Sequence, residues 1–295
     1  MPSVSLWWIF SVRLVYMSCF VSECEYNGFA MNIYPEHPVY VWRRGEVNIE
    51  NYTLPAEEEF CIYVNGTLLT RFMASPSARE ALVVGFLYDS GIIETPVDMA
   101  TLYFSEGGSC ADVWLTADRT PLVEARLANP NILHTSGCGR GVVLGDLYAP
   151  SEPLLMELTL VTPAQLLDMA RLLQDATAHN SHSHGVHTSA LFTPTGEVAA
   201  TMTDVGRHNT FDKLLGACLL GSRPTEGHIL VTTGRLSSEM VSKAARMRVP
   251  IAASFRAVTS TAVELAEASG ITSVGYLRGQ QMVVYSHPER LGILD

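Results

Sequence analysis

Between Ser189 and Tyr285 short apolar runs of strand length alternate with longer stretches of helical period, and this alternation constrains the fold more than any other feature. Ser189–Phe192 and Val198–Met202 bracket Thr193-Pro194-Thr195-Gly196, the composition of a hairpin turn. Helices are expected at about Asn209–Leu220, Ser237–Met247 and Thr259–Ala268. Strands are expected between and after them, at His228–Val231, Ile251–Ser254, Ile271–Tyr276 and Met282–Tyr285. Strands separated by helices imply right-handed crossovers, so the reading is an α/β fold with a largely parallel sheet sandwiched between helices.

Upstream the pattern is more mixed. Phe60–Val64 is a β-rich run, Asn65-Gly66 a type I′ turn signal, and Thr67–Phe72 a returning strand. Ser75-Pro76 reads as a helix start, with Ala78, Leu82, Gly85 and Phe86 at helical spacing and Gly91 as its C-terminal cap. Val113–Leu115 and Val123–Ala125 read as short strands, and Asn129–Pro150, rich in Gly, Ser and Asn, as a loop. Thr162-Pro163 opens a second helix to about Ala176, with Leu166, Met169, Ala170 and Leu173 on one face. The organisation expected is an apolar extension over residues 1–30, a smaller α+β part over 31–160, and an α/β domain over 161–295.

Val4–Val21 is apolar enough to cross a bilayer, yet Arg13 interrupts it, no basic residues precede it and no small-x-small cleavage pattern follows. An upstream start codon ahead of Met31, or a buried N-terminal helix, is preferred to a membrane anchor, and no membrane partner is expected. The net charge of −11 argues against a broad phosphate-binding surface, and hence against a nucleic-acid partner, while leaving room for one bound nucleotide. The six cysteines, Cys19, Cys24, Cys61, Cys110, Cys138 and Cys218, never fall as Cys-x-x-Cys. Their irregular spacing reads as mostly buried thiols in a reducing compartment, and the chain as cytoplasmic.

Cys138 differs from the others. Small residues flank it in His134-Thr135-Ser136-Gly137-Cys138-Gly139-Arg140-Gly141, and Arg140 favours a thiolate. This suits a persulfide carrier, although an incidental loop cysteine fits the residues too. His179, His182, His184 and His187 invite a metal reading, but no carboxylate or cysteine ligand accompanies them, and no metal is expected. Asp204-Val205-Gly206-Arg207-His208-Asn209 offers a carboxylate, a guanidinium, an imidazole and an amide at a strand-to-helix corner. It reads equally as an anion or nucleotide site and as a capping turn with a surface arginine. Thr232-Thr233-Gly234-Arg235 and Tyr276-Leu277-Arg278-Gly279-Gln280-Gln281 form two more such corners. Open α/β sheets bring corners of this kind to one ligand. No P-loop, Gly-x-Gly-x-x-Gly or Gly-x-Ser-x-Gly motif occurs, which leaves kinase, ordinary dehydrogenase and serine hydrolase readings without support.

Taken in order, these segments resemble the FdhD-type formate dehydrogenase accessory sulfurtransferases over about Glu57–Leu291. The resemblance rests on Val64-Asn65-Gly66, Val84-Gly85-Phe86-Leu87 with Gly91-Ile92-Ile93, Cys138-Gly139, Gly185-Val186-His187, and Asp204–Asn209 with Asp212-Lys213. Gly234-Arg235 with Ser237-Ser238-Glu239-Met240 and Lys243, Gly275–Gly279 and Val284-Tyr285 complete it. It implies a cytosolic sulfur carrier that takes sulfur from a cysteine desulfurase as a persulfide on Cys138. The sulfur then passes to the molybdenum bis(molybdopterin guanine dinucleotide) cofactor, a bound substrate that a GDP-like nucleotide would mimic, for use by formate dehydrogenase. It further implies a homodimer and, over 161–295, a cofactor-binding domain like the cytidine deaminase fold without its zinc. The stretch Tyr276, Leu277, Arg278, Gly279, Gln280 and Gln281 matches the segment associated with cofactor binding, and His187 from the histidine cluster, with Arg207, His208, Asn209 and Arg235 from the corners, is expected to join it.

One departure stands out. Many members carry Cys-Gly-x-Cys in the loop, whereas Cys138-Gly139-Arg140-Gly141 has glycine in the second place. A single thiolate suffices for a carrier, so Cys138 remains the candidate, without a resolving partner in its loop. The competing reading is a chaperone that binds and delivers the cofactor without sulfur chemistry.

Overall fold

The computed structural model describes residues 34–117, 119–128, 133–134, 142–143, 161–178 and 185–293. The first two strands, β1 (Glu36–Arg43) and β2 (Glu46–Thr53), form a two-stranded antiparallel sheet among the described residues. Next come β3 (Glu58–Val64) and β4 (Thr67–Ala74), a hairpin whose turn residues Asn65 (φ 49°) and Gly66 (φ 77°) both take the left-handed backbone that type I′ requires. Helix α1 (Arg79–Asp89), β5 (Met99–Phe104), β6 (Cys110–Leu115) and α2 (Thr120–Ala128) follow. Strands β4-β3-β6-β5 form one sheet, and α1 covers it with Leu82, Val83 and Leu87 against Phe60, Ile62, Val64 and Val113.

Two local expectations are corrected here. Val123–Ala125 lies in helix α2, not in a strand, because Pro121 starts a helix in its first turn. Ser75 does not cap α1, which begins only after Ala78 (φ 47°), because Ser75 is engaged elsewhere, as described below. Gly91 does close α1, at φ 68°. The cysteine reading also changes: Cys61 and Cys110 stand opposite each other on β3 and β6 and are joined as a disulfide. Among the described residues, Cys218 is a free, buried thiol.

After the short pair β7 (Leu133–His134) and β8 (Val142–Val143) comes α3 (Pro163–Ala178), with Leu166, Met169, Ala170 and Leu173 buried as expected. The remainder is β9 (His187–Phe192), β10 (Val198–Asp204), α4 (Arg207–Leu220), β11 (Ile229–Thr232), α5 (Ser238–Arg246), β12 (Ile251–Ser254), α6 (Ser260–Ser269), β13 (Thr272–Arg278) and β14 (Gln281–Val284). Their six-stranded sheet has the order β10-β9-β11-β12-β13-β14. Only β11, β12 and β13 run parallel, so the sheet is mixed where a largely parallel one was expected. The turns after β9 and β13 return the chain directly and make antiparallel hairpins at both edges. One core lies under α3, and another lies under α4, α5 and α6. The α/β class is as expected.

Both sheets belong to the unit Asn32–Asp295, and α1 crosses α4 at two glycines. A β-carbon at Gly85 would fall 1.9 Å from the Asp212 carbonyl oxygen, and one at Gly216 would fall 1.8 Å from that of Ala81. The helices meet backbone to backbone, a separation that only glycine permits.

Candidate functional site at the strand ends

The register of the six-stranded sheet brings five chain segments to one edge. His187 begins β9 opposite Asp204, the last residue of β10. The parallel strands β11, β12 and β13 end at that same edge, in Thr232–Arg235, Ser254–Arg256 and Tyr276–Arg278. Helices α4 and α5 both start there, so their unpaired N–H groups add partial positive charge.

Hydroxyls wire these corners together. Thr232 Oγ1 accepts from the Gly234 N–H (3.1 Å) and from Ser189 Oγ (2.8 Å). Thr233 Oγ1 accepts from the Thr188 N–H at 3.0 Å. Ser254 Oγ donates to the Gly234 carbonyl (2.6 Å) and accepts from the Arg256 N–H (2.8 Å). Arg207 and His187 close on Gly234, where an added β-carbon would lie 3.0 Å from Arg207 Cβ and 3.4 Å from His187 Nδ1. A side chain at 234 would press on both, and they would have to give way by a few tenths of an ångström.

Asp204 anchors the second corner. Its fully buried carboxylate accepts from the Gly206 N–H (2.7 Å), Asn209 Nδ2 (2.8 Å), the Ser75 N–H (3.1 Å) and Lys213 Nζ (2.6 Å). The segment after β4 completes the grip. Met73 O accepts from Asn209, Ser75 Oγ accepts from the Val205 N–H, and Ser75 O and Ser77 Oγ take up Lys213. Burial lowers the Lys213 pKa, and Asp204 opposes that shift.

The cluster is cationic in a chain that is acidic overall. Burial lowers the His187 pKa, and Arg207, His208 and Arg256 push it down further, which keeps this imidazole neutral near pH 7. Burial also lowers His208, partly offset by Glu239, whose Oε2 lies 2.7 Å from His208 Nε2. Arg235 and Arg256 carry exposed side chains. A neutral imidazole, guanidinium groups and two helix N-termini suit a phosphate-bearing ligand.

The predicted residues thus divide. His187, Arg207 and Arg235 meet at the edge, whereas His208 is engaged by Glu239 and Asn209 is buried against Asp204 and Met73. Tyr276 is exposed at φ 51°, its N–H bonded to the Arg256 carbonyl, which sets it beside the cluster. Leu277 is fully buried in the core, so its side chain packs under the sheet. Arg278, Gly279, Gln280 and Gln281 turn around an open cleft of about 550 Å³ that Gln174 of α3 also lines. Arg256 lies outside the Gly-Arg pattern because Ser254-Phe255-Arg256 lacks the glycine that marks the other corners, although an arginine just past a strand is itself a usable signal. Cys138, His179, His182 and His184 lie outside the described residues.

A family model described as FdhD/NarQ family matches residues 55–292. The chain belongs to that family. It is 34% identical over 250 residues to the sulfur carrier protein FdhD of Wolinella succinogenes, covering 80% of this chain and 82% of that one. Against the protein of the same name from Bacillus licheniformis it is 30% identical over 264 residues, covering 88% and 98%. A crystal structure from Desulfotalea psychrophila, assigned as a formate dehydrogenase accessory protein, superposes with a TM-score of 0.68 at 25% identity. That match covers 88% of this chain and 99% of the other. Among the described residues, no helix is long and apolar enough to cross a membrane.

Proposed function

We propose that this chain is a sulfur carrier that serves formate dehydrogenase by sulfurating its molybdenum cofactor. The observation that carries the reading is the convergence of His187, Arg207, Arg235 and Arg256 on one sheet edge, beside two helix N-termini, in a member of a family whose relatives are named sulfur carriers. A dinucleotide-bearing cofactor offers phosphates to that edge, and Tyr276–Gln281 extends it toward a base. The bis-guanine-dinucleotide cofactor is the cargo, and GDP is a convenient mimic.

In this reading the Cys138 thiolate attacks the outer sulfur of a cysteine desulfurase persulfide. The sulfur–sulfur bond of the donor breaks, and the donor cysteine leaves as thiolate. Cys138 would later pass its outer, sulfane-level sulfur to the bound cargo and return to thiolate, the two electrons that bring that sulfur to sulfide coming from the metal of the cargo. Two copies of the chain, working in the cytoplasm, complete the proposal.

Mass spectrometry after incubation with a cysteine desulfurase and cysteine tests this directly. One extra sulfur atom is expected on the wild-type chain and none on Cys138→Ala. Labelling that persists in the variant overturns the assignment, and full activation of formate dehydrogenase by that variant would favour delivery without sulfur transfer.

A further inference from the structure

Cys61 and Cys110 face each other in register on two neighbouring parallel strands, with Cα atoms 4.5 Å apart. Ile62, Val64, Ala111 and Val113 turn toward α1 and are fully buried. Strand alternation therefore puts Cys61, Tyr63, Cys110, Asp112 and Trp114 on the other face of the sheet. That face meets solvent: Trp114 is exposed, as is Tyr103 opposite Asp112, and Cys110 is only half-buried. Cys110 is the more exposed of the two and is the thiol a small disulfide would meet first, with the buried Cys61 within bonding reach of it.

What the pair encloses gives it a consequence. The closed loop from Cys61 to Cys110 contains Met73, Ser75 and Ser77, which hold Asn209, Asp204 and Lys213 under the strand-end site. On the far side of β3, Arg71 stands opposite Cys61, two residues before Met73. Cross-linking β3 to β6 removes loop-closure entropy from the opened form of that segment, so its local openings become rarer.

We propose that Cys61 and Cys110 form a thiol–disulfide switch whose closed state stiffens the Met73–Ser77 strap beneath the Asp204–Asn209 corner. The Cys110 thiolate attacks a low-molecular-weight disulfide such as oxidised glutathione and releases one glutathione thiolate. The Cys61 thiolate then displaces the second from the mixed disulfide. The two cysteines lose two protons and two electrons, and the glutathione disulfide takes them up as two thiols. Disulfides of this kind in reducing compartments serve as sensors rather than permanent staples. The switch acts on the scaffold, so it holds whether or not the site takes the cargo proposed above.

The test compares the ligand-free full chain after incubation in reduced and in oxidised glutathione. In the oxidised sample a peptide joining Cys61 to Cys110, lighter by two hydrogens, is expected. Amide exchange at residues 73–77 and 204–213 should slow roughly tenfold. Cys110→Ser should lose both responses and exchange like the reduced wild type, whereas Cys218→Ser should keep both. Recovery of Cys61 and Cys110 as separately alkylated thiols in every glutathione ratio overturns the switch. A linked peptide with unchanged exchange in the strap overturns its coupling to the site.

Discussion

Asp204 and Lys213 form an ion pair 2.6 Å long in which neither side chain has any solvent exposure. Asp204 closes β10 and Lys213 lies in α4, so the pair fixes the strand-to-helix corner that carries Arg207. Dehydrating both charges is costly, and the remaining hydrogen bonds to Ser75, Ser77, Gly206 and Asn209 are what make the pair sustainable. Lys213→Met leaves the carboxylate buried without its counter-charge and is expected to cost about 3–5 kcal/mol. Urea unfolding measures it, and Asp204→Asn combined with Lys213→Met should recover part of the loss. A single variant as stable as wild type would contradict this account.

The α1–α4 crossing yields a prediction whose sign is decided by two opposing magnitudes. Gly216→Ala gains about 1 kcal/mol of helix propensity. Against that, its β-carbon would fall 1.8 Å from the Ala81 carbonyl oxygen, so the helices must move apart. Overpacking of this kind costs about 1–3 kcal/mol and more where backbone is the obstacle. A lower thermal midpoint is expected for Gly216→Ala and for Gly85→Ala, whereas alanine at Gly45 meets open space and costs only the strain of its φ of 92°.

Local signals account for what was readable in advance. The Asn65-Gly66 hairpin and the run of elements from β9 to β14 follow from turn chemistry and hydrophobic period, both of which are properties of adjacent residues. The antiparallel edge pairs come from the hairpin turns after β9 and β13, whereas the antiparallel pairing of β9 with β11 joins segments far apart and does not show in the alternating pattern. The same limit applies to the site. The Gly-Arg corners show in the sequence, but the engagement of Asn209 by Met73 and of Lys213 by Ser75 joins segments far apart in the chain. The likeness of Thr120-Pro121 to a helix start outweighs the β-branched Val123 in deciding the fate of that segment.

Arg256 is the residue at the edge that sequence patterning passed over, and it gives a binding prediction. Its backbone N–H is fixed by Ser254 Oγ and its side chain is exposed beside Tyr276. A charge-assisted hydrogen bond to phosphate contributes about 1.5–3 kcal/mol. Arg256→Ala should therefore weaken GDP binding by about tenfold or more in isothermal titration, with the unfolding midpoint unchanged. Equal affinity for wild type and variant would remove Arg256 from the site.

Lys243 on α5 lies 2.6 Å from Asp212 and 2.7 Å from Asp89, so one ammonium serves two carboxylates. The two acids hold Lys243 charged, with its pKa raised. Asp212 is the more buried acid, and burial, with Asp89 and Asp204 adding like charge, pushes its pKa up to about 6 despite Lys243. In the unfolded chain an aspartate titrates near about 4. Between these values the folded chain holds a proton that the unfolded chain has released, so raising the pH strips that proton at the expense of the folded state. The contribution of Asp212 to stability is therefore greatest below about pH 4, falls through pH 6 and is flat above it. Asp212→Asn mimics the protonated acid, so the variant should gain on the wild type across that window in urea midpoints measured at successive pH values. Midpoints that run parallel from pH 4 to pH 7 would show that Asp212 titrates as an ordinary aspartate.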